Sequence, residues 1–524
     1  MKYIDVLDST LRDGAQGEGI AFTVEDKLKI VKYLDRLGVK YIEAGNPASN
    51  PKDIEFFERV KKLELKNAAI CAFGSTRRRG IKPEEDAHLQ SLANAGTKTV
   101  SVFGKSWDLH VTEILKTTLE ENLSMIYDTV KYLKDLGKEV IFDAEHFFDG
   151  YKENSEYALK ALKAAADAKA DVLCLCDTNG STFPDEISEI VKVVKEHIPN
   201  VKLGIHCHND SGLAVASTMA AVFAGCEHIQ GTYVGFGERT GNANLSTIIP
   251  NLQIKRDYKL IPDENMHNLT STAIKICEVA NIPLSNSKPY VGGSAFAHKG
   301  GMHIDGVSKL SRSFEHIKPE TVGNQRRFLM SEVSGRATIL KKIQAVKPDV
   351  DKDSPLTQKV IDRLKELEHQ GYQFEAAEQS FELIIRKELG LYKPFFELIN
   401  YKTIGEHPIE NDSYPSTAVI KLRVGDKVSV TASDGDGPVH ALDSALRKAL
   451  VEFYPVLKDV RLTDYKVRVM EPKDATAAKV RVLIESTDGE RSWATIGVSC
   501  DIIEASWQAL VDSIEYKLTM NEGE

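Results

Sequence analysis

A (β/α)₈ barrel is the fold that the first half of the sequence predicts. A helical connector and a C-terminal α+β domain of two similar halves follow it. Three observations carry the prediction. Short apolar runs alternate with amphipathic helical stretches over roughly 250 residues, which is the size and order of such a barrel. No Gly-x-Gly-x-x-Gly turn follows the first run, as an open doubly wound sheet would favour. Polar residues gather just beyond the C-terminal ends of the apolar runs, where barrel active sites form.

Ile4 to Leu7 is the first strand, and the loop Asp8-Ser9-Thr10-Leu11-Arg12-Asp13-Gly14 follows. Thr23 reads as a helix cap with Glu25 and Asp26 behind it. Leu28, Val31, Leu34 and Leu37 mark one helix face, and Gly38 ends it. Val39–Glu43 is the second strand. Ala68–Phe73, Thr99–Phe103, Val140–Ala144, Val172–Cys176, Leu203–His208 and His228–Tyr233 continue the series. Lys52–Lys62, Glu84–Ala95, Leu119–Leu136, Ser155–Ala168, Pro184–Glu196 and Leu213–Phe223 are the helices between them. Asp263–Ala280 reads as one helix, and the turn-rich Pro283–Gly293 follows. The charged stretch 351–377 and then Phe381–Leu389 read as further helices. From about Phe395 the period changes to two. Thr417–Val424 and Lys427–Ala432 are strands, and a helix runs from Val439 to Phe453. The theme recurs in Asp464–Met470, Ala478–Ser486 and Ser492–Ser499, then the helix Ile503–Leu518. The expected division is therefore 1–262, 263–394 and 395–524.

The balance of 67 basic against 77 acidic residues, net −10, argues against nucleic acid or an anionic membrane surface as the main partner. No apolar signal region opens the chain, and no stretch is long enough to span a bilayer. Seven scattered cysteines form no Cys-x-x-Cys pair, and Cys174 and Cys176 look like buried strand residues, so a reducing cytoplasm fits best.

The chemistry concentrates at Gly204-Ile205-His206-Cys207-His208-Asn209-Asp210. Alternate side chains of a strand share a face. His206 and His208 therefore point together and can chelate one ion, or are two unrelated polar residues at a strand edge. Asp13 is the third ligand expected and Asn242 a possible fourth. Two nitrogens with one or two oxygens leave positions open for substrate. This set suits Mn²⁺ or Zn²⁺ and tolerates Mg²⁺. Arg12 supplies a fixed positive charge for a substrate oxygen, or is an exposed loop ion pair with Asp13. Asp143 and Glu145 follow the fifth strand. Glu145 orients substrate or moves a proton, or is a surface carboxylate. Thr178 binds a carboxylate, or belongs to a plain Asp-Thr-Asn-Gly turn.

Asp8-Ser9-Thr10-Leu11-Arg12-Asp13-Gly14, His206-x-His208-Asn209-Asp210 and Gly237-Glu238-Arg239-x-Gly241-Asn242-Ala243 together resemble the family of 2-isopropylmalate, homocitrate and citramalate synthases. The resemblance covers nearly the whole chain. Phe142-Asp143-Ala144-Glu145-His146-Phe147-Phe148-Asp149-Gly150-Tyr151 and Ser294-Ala295-Phe296-Ala297-His298-Lys299-Gly300-Gly301 look most like its citramalate-forming branch. The resemblance implies a metal-dependent acyltransferase joining pyruvate to acetyl-CoA with release of CoA, in isoleucine biosynthesis. It implies Asp13, His206, His208 and Asn242 as metal ligands, Arg12 at the keto oxygen, Glu145 and His303 as catalytic residues, and Asp143 and Thr178 near the substrate. It also implies a homodimer whose C-terminal domain binds an end-product amino acid, isoleucine. The segment Asp434-Gly435-Asp436-Gly437 would hold that amino acid, or is a tight turn capping a helix. Ser331-Glu332-Val333-Ser334-Gly335-Arg336-Ala337 is family-like too. Two positions depart from the family: Phe314 stands where a tyrosine is usual, and Asn46 where an aromatic residue is expected. Other readings are a different 2-oxo acid such as 2-oxoisovalerate, the reverse chemistry of hydroxymethylglutaryl-CoA lyases, and a non-catalytic sensor of metal and amino acid.

Overall fold

Eight parallel strands close on themselves in the computed structural model, which describes residues 2–47, 50–329, 336–351, 354–406, 416–470 and 478–522. They are β1 Asp5–Asp8, β2 Tyr41–Glu43, β3 Ala69–Ser75, β4 Thr99–Lys105, β5 Glu139–Glu145, β6 Val172–Asp177, β7 Lys202–Cys207 and β8 His228–Gly231. Each pairs in parallel with its neighbour, and β1 closes the ring on β8 with Asp5 opposite His228 and Asp8 opposite Gly231. A helix follows every strand: α1 Val24–Leu37, α2 Pro51–Val60, α3 Ala87–Ala93, α4 Leu119–Asp135, α5 Ser155–Asp167, α6 Pro184–His197, α7 Ala214–Ala224 and α8 Leu245–Arg256. The predicted (β/α)₈ barrel is therefore present.

Local chemistry explains the punctuation. Thr23 and Asp26 form a reciprocal capping box at the start of α1, which satisfies two amide donors that the first turn leaves open. Gly38 ends α1 in the left-handed conformation, and a Cβ there would meet Pro262 at 2.4 Å. Leu7, Tyr41, Cys71, Ile141, Val172, Cys174 and Cys176 pack together in one buried cluster. Burial on this scale supplies the main stabilising term of the barrel.

The chain divides into two units, Met1–Ala295 with Pro319–Gln325, and Phe296–Lys318 with Arg326–Glu524. In the first, the expected single helix over Asp263–Ala280 is instead a 3₁₀ segment, Asp263–Asn268, followed by the α-helix Leu269–Val279. The carbonyl of His267 lies so close to Gly323 that a Cβ there would stand 1.9 Å away. The tighter winding of the first turns accompanies this approach. A further helix, Phe147–Glu153, follows β5 directly.

The second unit carries the helices Gly301–Lys309, Pro355–Gln370 and Glu378–Glu388. Two antiparallel three-stranded sheets follow. One holds β9 Glu397–Gly405, β10 Ser416–Val424 and β11 Lys427–Gly435; the other holds β12 Arg461–Val469, β13 Val480–Thr487 and β14 Ser492–Ser499. A helix follows each sheet, α9 Pro438–Leu450 and α10 Ile502–Glu522. Both first strands break register at matching places, between Leu398 and Asn400 and between Leu462 and Asp464. Ile420, Leu422, Leu446, Ile484, Trp493 and Leu510 belong to one buried core. The two similar halves are thus present, and β9 is a strand that the sequence pattern did not mark. Residues 331–335 of the Ser331–Ala337 motif lie outside the described residues.

Six of the seven cysteines are buried, all of them in the first unit, and Cys500 in the second is exposed. Among the described residues no helix is long and apolar enough to cross a membrane.

Candidate active site at the barrel mouth

The loop beyond β1 and the C-terminal end of β7 bring Asp13, His206 and His208 together. One ligand atom of each lies within 4.8 Å of the others. His206 Nε2 is 3.3 Å and His208 Nε2 3.7 Å from Asp13 Oδ2. All three residues are buried. His206 is in β7, and His208 stands two residues on, just past the strand end, as a shared strand face requires.

The loop after β8 folds back alongside the end of β7: the Asn242 backbone bridges His208, and Ala243 N–H donates to Cys207 O at 2.9 Å. The Asn242 amide nitrogen donates to Phe236 O at 3.3 Å. Its Oδ1 is buried with no hydrogen-bond partner among the described residues, as is His208 Nδ1. A buried, unpartnered carbonyl oxygen on the residue bridged to His208 is an oxygen donor of the kind that a divalent ion held by Asp13, His206 and His208 would take. Gly237 makes the approach possible. Its φ is +153°, and a Cβ there would lie 2.2 Å from Asn242 Nδ2.

A relay fixes the His206 ring. Its Nδ1 is 3.0 Å from Gln230 Oε1, and Gln230 Nε2 donates to Asp143 Oδ1 at 2.7 Å. Ser101 Oγ donates to the other Asp143 oxygen at 2.5 Å. The amide nitrogen of Gln230 is spent on the carboxylate, so its oxygen must accept from His206 Nδ1–H. That turns Nε2 toward Asp13, where it donates to the carboxylate when the ring is protonated and offers the lone pair a metal ligand needs when the ring is neutral.

Burial opposes ionisation of Asp13, but Arg12 and the hydrogen bond from His206 outweigh it and hold the carboxyl below the usual range. Burial pulls His206 down, yet Asp13 more than compensates and its pKa is raised. Burial, with His206 beside it, pulls His208 down to about 4.

Arg12 is clamped on three sides. Its Nε donates to Glu43 Oε2 at 2.7 Å, its Nη1 is 3.2 Å from Asp13 Oδ2, and its guanidinium lies 4.0 Å from the Phe73 ring centroid. Burial works against its charge, but Glu43 and Asp13 overcome that cost and raise its pKa. Burial raises both Glu43 and Asp143. Arg12 is therefore a held cation and not an exposed loop pair.

Glu145, at the end of β5, is half-buried and ion-paired with Lys105. His146 follows with φ 55°, a left-handed conformation that costs energy without glycine. It turns the His146 N–H onto Thr178 Oγ1 at 2.9 Å. Because Thr178 accepts there, its own hydroxyl proton remains to donate. Arg239 ties the neighbouring loops, donating to Asp210 at 2.7 and 2.9 Å and to Thr178 O at 2.8 Å.

Asp143 also lies with Cys174 and Cys176 within metal-ligand reach. Burial pushes the Cys174 thiol well above its usual value, which disfavours the thiolate that a metal would need.

His303 belongs to the second unit and stacks on Phe314, centroids 4.3 Å apart. The residue at the usual tyrosine position thus supports the imidazole by packing and offers it no hydroxyl. Asp434 and Gly435 end β11, with Thr417 Oγ1 donating to Asp434 Oδ1 at 2.7 Å and Asp436 N–H to His440 Nδ1 at 3.2 Å. Gly437 caps α9.

Ser101 and Gln230 carry positioning that sequence reasoning missed, and Glu43, read there only as the polar end of the second strand, proves to be the clamp on Arg12. Gln230 had one signal: it shares the inward face of β8 with His228, as a polar residue in a run of buried positions.

A family model described as HMGL-like matches residues 3–282. One described as homocitrate synthase post-HMGL domain-like matches 290–372, and one described as LeuA allosteric (dimerisation) domain matches 375–518. An (R)-citramalate synthase of Aquifex aeolicus is 54% identical over 99% of this chain and 98% of its own. One of Geobacter sulfurreducens is 50% identical over 100% and 99%. A 2-isopropylmalate synthase of Pyrococcus furiosus is 31% identical over 98% and 99%. Among solved structures, an HMG-CoA lyase of Bacillus subtilis is 20% identical, with a TM-score of 0.47, over 54% of this chain and 96% of its own.

Proposed function

Since the chain belongs to the (R)-citramalate synthases, within the HMGL-like family, we propose that its barrel mouth joins pyruvate to acetyl-CoA and releases (R)-citramalate and CoA. The observation that carries the reading is the set Asp13, His206, His208 and the unpartnered Asn242 oxygen, with the Arg12 guanidinium fixed beside it. A divalent ion on those four residues would supply Lewis acidity toward a chelating 2-oxo acid.

The chain's own groups do the rest. Arg12 holds positive charge beside the keto oxygen as it gains negative charge, and Glu43 keeps the guanidinium from turning away. Thr178 donates its hydroxyl to the substrate carboxylate, which its accepted bond from His146 leaves free to do. Asp143 orients His206 through Gln230. Glu145 is the residue we assign to proton transfer at the acetyl methyl group, with Lys105 as its counter-ion. That proton leaves carbon, the new carbon–carbon bond forms at the keto carbon, and the keto oxygen becomes a hydroxyl. Water then cleaves the thioester, giving the free acid and the CoA thiol. His303 is assigned to proton handling in these steps on the family resemblance, and its stacking on Phe314 supports a fixed ring there. We further assign 1–262 to catalysis, 263–394 to a connector that supplies His303, and 395–524 to regulation and dimer formation. Isoleucine is the effector proposed, with Asp434, Gly435, Asp436 and Gly437 as its contacts. The match to a LeuA allosteric domain supports a regulatory role.

CoA release from acetyl-CoA with Mn²⁺ and a panel of 2-oxo acids tests the reading. Release with pyruvate, reduced by isoleucine, is expected. Preference for a branched 2-oxo acid would keep the chemistry and move the substrate, and no release with any of them would refute the reading.

A further inference from the structure

Resting on the acetyl-CoA reading above, we propose that a cavity beyond the ends of β3 and β4 anchors the phosphorylated adenosine end of the thioester, with Arg78 and Arg79 as its phosphate ligands. The cavity has a volume of about 320 Å³, within the range of small-molecule sites. Phe103, Leu115 and Met125 give it an apolar wall, and Arg78, Arg79 and Lys105 give it charge.

Position comes first. Phe103 stacks on Phe73 with centroids 5.3 Å apart, and Phe73 carries the Arg12 guanidinium on its ring. Lys105, on the cavity wall, pairs with Glu145. The cavity therefore adjoins the proposed reaction centre through two ring contacts and one ion pair.

Charge comes second. Three arginines in succession, 77–79, are unexpected on a chain of net charge −10 unless they have partners. Arg77 has them: it is buried and paired with Glu121 and Asp128 at 2.8 Å each. Arg78 and Arg79 are exposed and form no ion pair with the described residues. Among the described residues, the hydrogen bond that Arg79 makes is to the Lys116 carbonyl. Two unneutralised guanidiniums on one cavity wall suit an anion that brings several oxygens, as phosphoanhydride and phosphomonoester groups do.

Rigidity comes third. The loop that carries these arginines is held along its length. Thr76 N–H donates to Phe103 O at 3.0 Å, Arg77 N–H to Thr129 Oγ1 at 2.8 Å, Arg78 N–H to Asp86 Oδ2 at 2.7 Å and Gly80 N–H to Glu121 Oε1 at 3.0 Å. Arg77 is the post of this arrangement. A loop fixed in this way loses little freedom when an anion binds.

The test compares acetyl-CoA with acetyl-pantetheine, which keeps the thioester and lacks the phosphates and adenosine. The proteins are the full-length parent and the Arg78→Ala/Arg79→Ala double variant. The parent's preference in kcat/KM for acetyl-CoA over acetyl-pantetheine should fall at least about tenfold in the variant, the scale of one charge-assisted hydrogen bond. Adenosine 3′,5′-bisphosphate, measured by calorimetry, should bind the parent and lose at least about tenfold in affinity in the variant. Arg78→Lys should recover part of the loss. An unchanged preference, or unchanged nucleotide affinity, overturns the proposal. The binding arm decides it even if the parent turns over no 2-oxo acid, an outcome that would refute the catalytic reading separately.

Discussion

Replacing Gln230 by leucine removes the link between Asp143 and His206 and little else, since leucine fills nearly the same volume. Two bonds vanish: the 3.0 Å contact to His206 Nδ1 and the 2.7 Å bond to Asp143 Oδ1. Loss of the first frees the imidazole to turn and to exchange tautomers. Removing such a supporting partner typically costs 10–100-fold in metal affinity, or roughly 1.4–2.7 kcal/mol. Loss of the second leaves a buried carboxyl with one donor fewer, which costs about 1–3 kcal/mol of stability. The two effects separate with a control. Ser101→Ala takes the other donor from Asp143, at 2.5 Å, and does not touch His206. It should destabilise the fold and leave metal affinity near the parent's. Mn²⁺ affinity is read by competition with a fluorescent chelator, and stability by urea unfolding of the metal-free protein. A folded Gln230→Leu protein that binds Mn²⁺ within about twofold of the parent, well inside the range expected for a lost supporting partner, refutes the relay. Equal weakening by Ser101→Ala would show that the charge of Asp143 matters and the tautomer does not.

Three further outcomes are expected. His208→Ala should abolish turnover with an unchanged far-ultraviolet dichroism spectrum, and an active variant that needs no metal would sink the ligand assignment. Gly237→Ala puts a Cβ 2.2 Å from Asn242 Nδ2; Mn²⁺ affinity should fall by about tenfold, roughly 1.4 kcal/mol, and an unchanged affinity would remove Asn242 from the ligand set. His228 is fully buried with both ring nitrogens unpartnered among the described residues, and burial pulls its pKa down to about 3. The unfolded chain takes a proton near 6.5 that the folded protein refuses, so its contribution to stability is full above 6.5 and is lost as pH falls toward 3. Between pH 7 and 5 the parent should lose about 2 kcal/mol relative to His228→Met; parallel urea midpoints for the two proteins would contradict this.

The barrel was legible because each strand is a short buried run and each helix carries a periodic apolar face. The capping box at Thr23 and the stop at Gly38 could be read from residue type alone. The candidate ligands were legible too, since His206 and His208 share a strand face and Asp13 follows β1. Their support was not. Gln230 pairs with His206 from the next strand and reaches Asp143 three strands away, and Ser101 reaches Asp143 from its neighbouring strand, so only strand pairing within the barrel brings them there. Strand β9 escaped because its side chains are mostly exposed, so no alternation marks it. The split of 263–280 depends on a close approach by Gly323, 56 residues from His267, which no local pattern encodes.

The distribution of thiols turns the molecule into its own reporter of opening. Cys500 is the exposed cysteine of the second unit, whereas Cys71, Cys174, Cys176, Cys207, Cys226 and Cys277 are shut inside the first. A chromogenic disulfide reagent added to native protein should release one equivalent at once, from Cys500. Release of the other six then has to wait for the barrel to breathe or unfold. The slow phase clocks the barrel without a label, and any change in its rate on adding Mn²⁺ measures how far an ion bound at the proposed site would hold the staves together.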